Sequence, residues 1–408
     1  MSQQGPLLIV SNAGRPAFVS ALDEARMFPL IETRLADAVR AASQTQPSAI
    51  LVDMHDADLA QFEALAEFAA SRTPYLPLIA LEPSGPLPDN AIPFSAHGGS
   101  FDRLPARLNA ALRVRSLHLT VLRRLVEEPT TRLPDSDPAR DATVLLIGRG
   151  GAYPALSVAL GERLGVIGAF SIEAAANHLN TRDIDGVVLV DGFSPRVLDA
   201  FLTVLAEDAR FRKLPILLAS DALAPTYELP NLEIITGEPA DVAANALPLI
   251  RQHALEAQLS RTLRSIDAGG WLDPRSGLLT TEAFARDFSK AVEQTLARGG
   301  GLSVARFAFD PSNPRAQLDA ARILSRLMRQ MDFGTAQKDG SVIVVFAETD
   351  FRTAHMIARR LSAVMRHTSN GKHEMRSDPV VSVDSLSSSD TARSLLARLS
   401  ADASRAAS

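Results

Sequence analysis

Residues 49–53 read Ala-Ile-Leu-Val-Asp and residues 186–191 read Gly-Val-Val-Leu-Val-Asp, two short unbroken apolar runs that each end in an aspartate. A run without polar alternation is a strand buried on both faces, and such strands belong to parallel sheets covered by helices on either side. Each run has companions. Pro6–Val10 and Leu76–Leu81 flank the first, and Ala142–Ile147, Leu214–Ala219 and Leu232–Ile235 surround the second. The strands, the terminal aspartates and the helices that follow recur in the same order at one offset, so the chain carries a two-unit internal repeat.

Each unit ends in a long helical stretch, Leu104–Glu128 and about Asp241–Ser265. The first carries Leu108, Leu112, Leu119, Leu122 and Val126 at helical spacing, and the second Leu247, Ile250, Ala254, Leu255, Leu259 and Leu263. That is more apolar surface than one small sheet covers, which predicts a homodimer through the first unit and these helices, or packing between neighbouring domains. Pro129–Asp141, rich in Pro and Asp, reads as a linker.

From Asp267 the order of elements changes. Asp273-Pro274 caps a helix that includes Thr281–Thr295, and Leu302–Phe309 is a strand. A helix over Leu318–Met331 precedes a hairpin of Gly334–Gln337 with Ser341–Phe346. Helix Ala354–Met365, strand Pro379–Val383 and helix Thr391–Leu399 follow. This order predicts an α+β domain with a mixed or antiparallel sheet. The expected organisation is 5–128, linker 129–140, 141–266, 267–400, and a frayed tail at 401–408.

A length of 408 residues suits two or three domains, and 46% hydrophobic with 22% charged residues is the composition of a globular chain. The net charge of -5 supplies no broad positive field, so no nucleic-acid partner is expected. The first apolar run is too short for a signal peptide or a span, so no membrane insertion is expected. With no cysteine, thiol nucleophiles, disulfides and cysteine metal sites are excluded. The eight histidines show no metal-ligand spacing.

Asp53 and Asp191 stand at the carboxyl ends of parallel strands, the rim where open α/β sheets place ligands. An aspartate there can hold magnesium or accept a phosphoryl group, but further carboxylates are needed to hold the metal. The first strands offer Ser11 and Asn12 in one unit and Gly148 and Arg149 in the other, none acidic, so magnesium is not expected; Asp56 and Asp58 are the only acids near Asp53. The bland reading of both aspartates is a strand end tied to the next turn by hydrogen bonds. Gly148, Gly150 and Gly151 follow a strand but lack the spacing of a phosphate loop. Arg329 and Asp332, three apart at the expected helix end, and Arg360 on the next helix make a set able to donate to phosphate and to pair with a guanine edge. A surface salt bridge is the ordinary reading of such a pair.

The whole order resembles PleD-like response regulators: two CheY-like (flavodoxin-like), doubly wound parallel-sheet receiver domains, then an α+β GGDEF domain of nucleotide-cyclase type. The resemblance makes Asp53 and Asp191 the phosphoacceptor positions, and Ser220 and Glu82 the positions of the hydroxyl that senses phosphorylation. It also puts Glu238, before Pro239, where the family has a lysine. Asp273, Gly277, Leu278 and Phe284 match the opening motif of the third domain. The signature positions, however, read Lys338, Asp339, Gly340, Ser341 and Val342, and the first metal aspartate is replaced by Ala308, with Asp310 two places on. The segment that reads the base is shortened to Pro311–Arg315. Two-metal phosphoryl transfer needs the missing carboxylates.

Arg329-x-x-Asp332 is similar to the family's R-x-x-D inhibitory site for cyclic di-GMP, and Arg360 falls where the family places a further arginine. Loss of the catalytic groups beside retention of this site resembles PopA-like receptors. That resemblance implies an inactive cyclase relative acting as a cyclic di-GMP receptor and adaptor in cell-cycle signalling, with no catalytic cofactor. It implies a homodimer with a protein partner as well, a cytoplasmic location, and recruitment to a cell pole. Two other classes stay open: a purely structural interaction protein, and an active diguanylate cyclase.

Overall fold

The computed structural model describes residues 5–27, 29–96, 99–127, 131–219, 227, 229–310, 312–365 and 379–406. The first module runs β1 (Leu7–Val10), α1 (Val19–Glu24), β2 (Leu30–Thr33), α2 (Ala38–Thr45), β3 (Ala49–Asp53), α3 (Leu59–Ala70), β4 (Leu78–Leu81), β5 (Ala91–Phe94) and α4 (Leu104–Glu127). All its strands pair in parallel, in the order β2-β1-β3-β4-β5. The pleat divides their side chains by parity: Leu7, Ile9 and Leu51 join one core, while Leu8, Val10, Ile50 and Val52 join a second on the other face. Both faces being covered is why these strands read as unbroken apolar runs.

The second module repeats the plan with β6 (Thr143–Ile147), α5 (Tyr153–Gly161), β7 (Gly165–Ala169), α6 (Ile172–Thr181), β8 (Gly186–Leu189), α7 (Pro195–Glu207), β9 (Ile216–Leu218), β10 (Leu232–Ile234) and α8 (Pro239–Asp267). Its order, β10-β9-β8-β6-β7, is the first module's order counted from its own first strand. This is the doubly wound order of flavodoxin-like sheets, with the switch point beside the module's first and third strands. Three strands went unread in the sequence: β2, β5 and β7. Each lies at a sheet edge.

The two parallel modules share one compact unit, formed by 1–124, 136–175 and 184–259. The helical seams expected to make a dimer are largely used inside it: Leu108 and Leu112 of α4 share a core with Leu247, Ile250 and Ala254 of α8. Leu119 and Val126 remain exposed. The second unit comprises 125–135, 176–183 and 260–408.

Within that second unit lie α9 (Thr281–Arg298), β11 (Leu302–Ala308), α10 (Pro314–Leu327), β12 (Phe333–Ala336), β13 (Ser341–Ala347), α11 (Phe351–Met365), β14 (Val380–Ser385) and α12 (Ala392–Ala406). The sheet, in the order β12-β13-β11-β14, is antiparallel throughout. Val342, Val344 and Phe346 of β13 face a core with α10 and α11, while Ile343 and Val345 face one with α9 and α12. Two expectations are corrected. Thr280, not Asp273, caps α9, because its side chain accepts the Ala283 amide, whereas Asp273 closes the preceding turn by accepting from Ser276. Helix α10 ends at Leu327 rather than Met331, since Met328 turns extended. Helix α12 spans Ala392–Ala406.

Candidate functional site

The end of α10 decides how Arg329 and Asp332 are presented. They lie beyond the helix on a tight turn closed by the Asp332 amide donating to the Arg329 carbonyl at 3.0 Å, so the turn rather than helical spacing brings them together. From there the chain enters β12, which pairs with β13. The Asp332 side chain is buried, and its Oδ1 accepts the Ala347 amide at 3.2 Å, just past the last β12–β13 register pair. Burial pushes its carboxyl above the usual range, against the opposing effects of the Ala347 and Arg329 amides and the Arg329 charge.

Helix α11 contributes Thr353, Met356, Ile357 and Arg360, a single stripe at three- and four-residue spacing. The turn and this stripe enclose a cleft of about 310 Å3 in which Arg329, Asp332 and Arg360 stand over Met328, Phe346 and Ile357. Both arginines are exposed. Among the described residues neither is in an ion pair, so the surface salt bridge expected from their spacing with Asp332 is not formed. The arrangement offers two exposed guanidiniums, one buried carboxylate acceptor and an apolar lining. The sequence reading missed Thr353, Met356 and Phe346; the apolar stripe ending in Arg360 was the available signal.

The hairpin that carries the signature positions is occupied by its own contacts. Ala308 stands opposite Ser341 across β11 and β13. Asp339 accepts from the Ser341 amide at 3.0 Å and its hydroxyl at 2.6 Å, and is paired with Arg306 at 2.9 Å. Burial opposes ionisation there, but the bonds from Ser341 and Arg306 outweigh it and hold the carboxyl below its usual range. Asp310 is bonded by the amide and hydroxyl of Ser312. Among the described residues no cluster of three or more His, Asp or Glu able to hold a metal is found.

At the rim of the first sheet, Asp53 accepts from the Ser11 hydroxyl and the His55 amide, both at 3.1 Å. Asp58 caps α3 through the Gln61 amide, and the exposed Asp56 lies 3.4 Å from Nε2 of His55. Glu82 accepts the Ala96 amide. In the second module Asp191 is exposed, and its carbonyl receives the Arg149 and Gly150 amides at 2.9 Å each. The Asp53 carboxylate thus has contacts to an adjoining turn, whereas the contacts of Asp191 are made by its backbone carbonyl. Ser220 lies outside the described residues.

No family model matches the chain, and no curated protein matches it. Among solved structures, one group of neighbours is similar over about a third of the chain. The neighbours there are GGDEF domains. A sensory box/GGDEF family protein from Caulobacter crescentus is 20% identical, covering 33% of this chain and 96% of that one, with a TM-score of 0.30. The FimX GGDEF domain from Pseudomonas aeruginosa is 16% identical over 34% of this chain and 93% of its own, TM-score 0.31. The coiled coil and GGDEF domain of DgcB from Caulobacter crescentus, solved in complex with c-di-GMP, is 14% identical over 36% and 85%, TM-score 0.29. No helix among the described residues is long and apolar enough to cross a membrane.

Proposed function

We propose that the chain is a catalytically inactive relative of the diguanylate cyclases, in which residues 267–400 act as a cyclic di-GMP receptor. The observation that carries this reading is the cleft lined by Arg329, Arg360 and Asp332, in which neither arginine has an ion-pair partner among the described residues. Cyclic di-GMP presents phosphodiesters and guanine edges, so it needs cationic donors together with a carboxylate acceptor. Inactivity is supported by Ala308 in place of a metal carboxylate and by Asp339 being tied to Arg306 and Ser341.

In this reading the two parallel-sheet modules are receiver-like docking modules rather than phosphorylation inputs, a view supported by their strand order and by the hydrogen bonds on Asp53. A homodimer draws support only from Leu119 and Val126, the seam positions left exposed. A protein partner, cytoplasmic action and recruitment to a cell pole belong to the same proposal and rest on the sequence resemblance alone. A second reading, a purely structural protein, is favoured by one observation: the Asp332 carboxylate is already bonded to Ala347 and serves the β12–β13 turn. Titration of cyclic di-GMP into the wild type and the Arg329→Ala variant separates the two.

A further inference from the structure

A cleft of about 220 Å3 lies in the first module at the amino-terminal end of its strands, the end opposite Asp53. The turns that lead into β3 and β4 frame it. Phe68 and Leu76 supply apolar wall, Arg72 and Arg115 supply charge, and no acidic residue lines it. Among the described residues neither arginine has an ion-pair partner.

Both guanidiniums are held in place from behind. Arg115 donates through Nη1 to the Pro74 and Tyr75 carbonyls at 3.3 and 2.8 Å, and one helical turn on, His118 accepts the Tyr75 amide at 3.0 Å through Nδ1. Arg72 stands 4.1 Å from the centre of the Phe68 ring. Burial lowers the pKa of Arg115, and it lowers that of His118 with the Arg115 charge adding to the effect. A half-buried cation with carbonyl contacts but no carboxylate carries a desolvation cost that an incoming anion offsets.

We propose that this cleft is an anion site, in which Arg72 and Arg115 hold a carboxylate or phosphate oxyanion whose apolar body lies against Phe68 and Leu76. The volume is below the range of drug-sized pockets, which begins at about 300 Å3, so the body is about one aromatic ring. The fork of each guanidinium suits a two-oxygen head group.

The test uses the full chain and three probes: phenyl phosphate, benzoate and inorganic phosphate, each titrated to about 10 mM, a ceiling that captures any site of millimolar affinity. Saturation-transfer NMR and protein chemical shifts report binding. The expected result is saturable binding of phenyl phosphate or benzoate, at least about tenfold tighter than inorganic phosphate, with contact to Phe68. Arg72→Ala and Arg115→Lys are each expected to weaken it about tenfold, the latter keeping the charge but losing the fork. Arg123→Ala, an equal change of charge on the exposed part of α4, is expected to leave it unchanged. Whichever ringed probe binds better identifies the head group. Absence of saturation, inorganic phosphate binding as tightly as the ringed probes, or equal loss in Arg123→Ala would overturn the proposal.

Discussion

Arg107 of α4 and Glu233 of β10 meet at 2.6 Å with their side chains 0% and 1% exposed, a buried ion pair that joins the two parallel-sheet modules. Arg107 also donates to the carbonyls of Pro93 at 2.8 Å and Pro230 at 2.6 Å, so its donors reach both modules. Burial disfavours the charged form of both partners, and their mutual attraction opposes that cost. Removing one partner strands the other charge. Glu233→Gln is therefore expected to destabilise the first unit by about 3 to 5 kcal/mol, and Arg107→Met with Glu233→Leu together to cost clearly less. Denaturant melts of the three proteins check this; equal losses in the single and double variants would show that the pair is not the joint.

Asp332 gives the candidate cleft a definite pH dependence. Its folded carboxyl lies above the unfolded value, so its contribution to stability is present below the unfolded pKa and is lost as pH rises through the folded one. Asp332→Asn is expected to remove that slope while keeping an acceptor for the Ala347 amide. Pairing with guanine N–H groups instead needs the ionised form, so affinity for cyclic di-GMP is expected to fall as pH drops through the raised value. Parallel melting and binding series across the acid range measure both slopes, and affinity insensitive to Asp332→Asn would remove the carboxylate from the site.

Legibility followed the apolar pattern, not burial alone, since the missed β5 is buried throughout. The central strands β1, β3, β4, β6 and β8 were plain in the sequence because both faces are covered and all but a terminal position, Asp53 in β3 and Thr143 in β6, are apolar or glycine. The missed strands are edges with weaker signals. β5 contains Pro93, tolerable only where no neighbour needs its N–H; β7 contains Gly165 and Gly168; β2 is half exposed and carries Glu32. At the candidate site the three polar residues were legible, but not the turn that presents them. Helical periodicity carried the reading past Leu327 to Met331, whereas Met328 leaves the helix. The Asp332–Ala347 bond joins residues fifteen apart, which local spacing does not encode.

Asp53 is expected to resist phosphorylation by acetyl phosphate with magnesium. Its two oxygens already accept from Ser11 and His55, and Asp58 is engaged in capping α3. Intact-mass measurement checks this. A phosphorylated species that disappears in Asp53→Asn would make the first module an input after all.

The purified chain is expected to form no cyclic di-GMP from GTP with magnesium or manganese. Ala308 supplies no ligand, the Asp339 carboxylate of the hairpin is held by Ser341 and Arg306, and no cluster of three acids or histidines that could hold a metal is found among the described residues. Chromatography of the reaction, on protein from cells without other cyclases, decides it; product above the no-enzyme control would restore the cyclase reading.

The most direct test of the receptor account is calorimetry of the wild-type chain with cyclic di-GMP, using GTP as the control ligand. The account predicts saturable binding of cyclic di-GMP with an affinity well inside about 100 μM, and a raised melting temperature in its presence. Arg329→Ala is predicted to weaken binding by about 2 to 4 kcal/mol, roughly 30- to 1000-fold, with the melting profile of the free protein unchanged. No heat and no thermal stabilisation at about 100 μM ligand would contradict it and leave Arg329, Asp332 and Arg360 as parts of a structural surface.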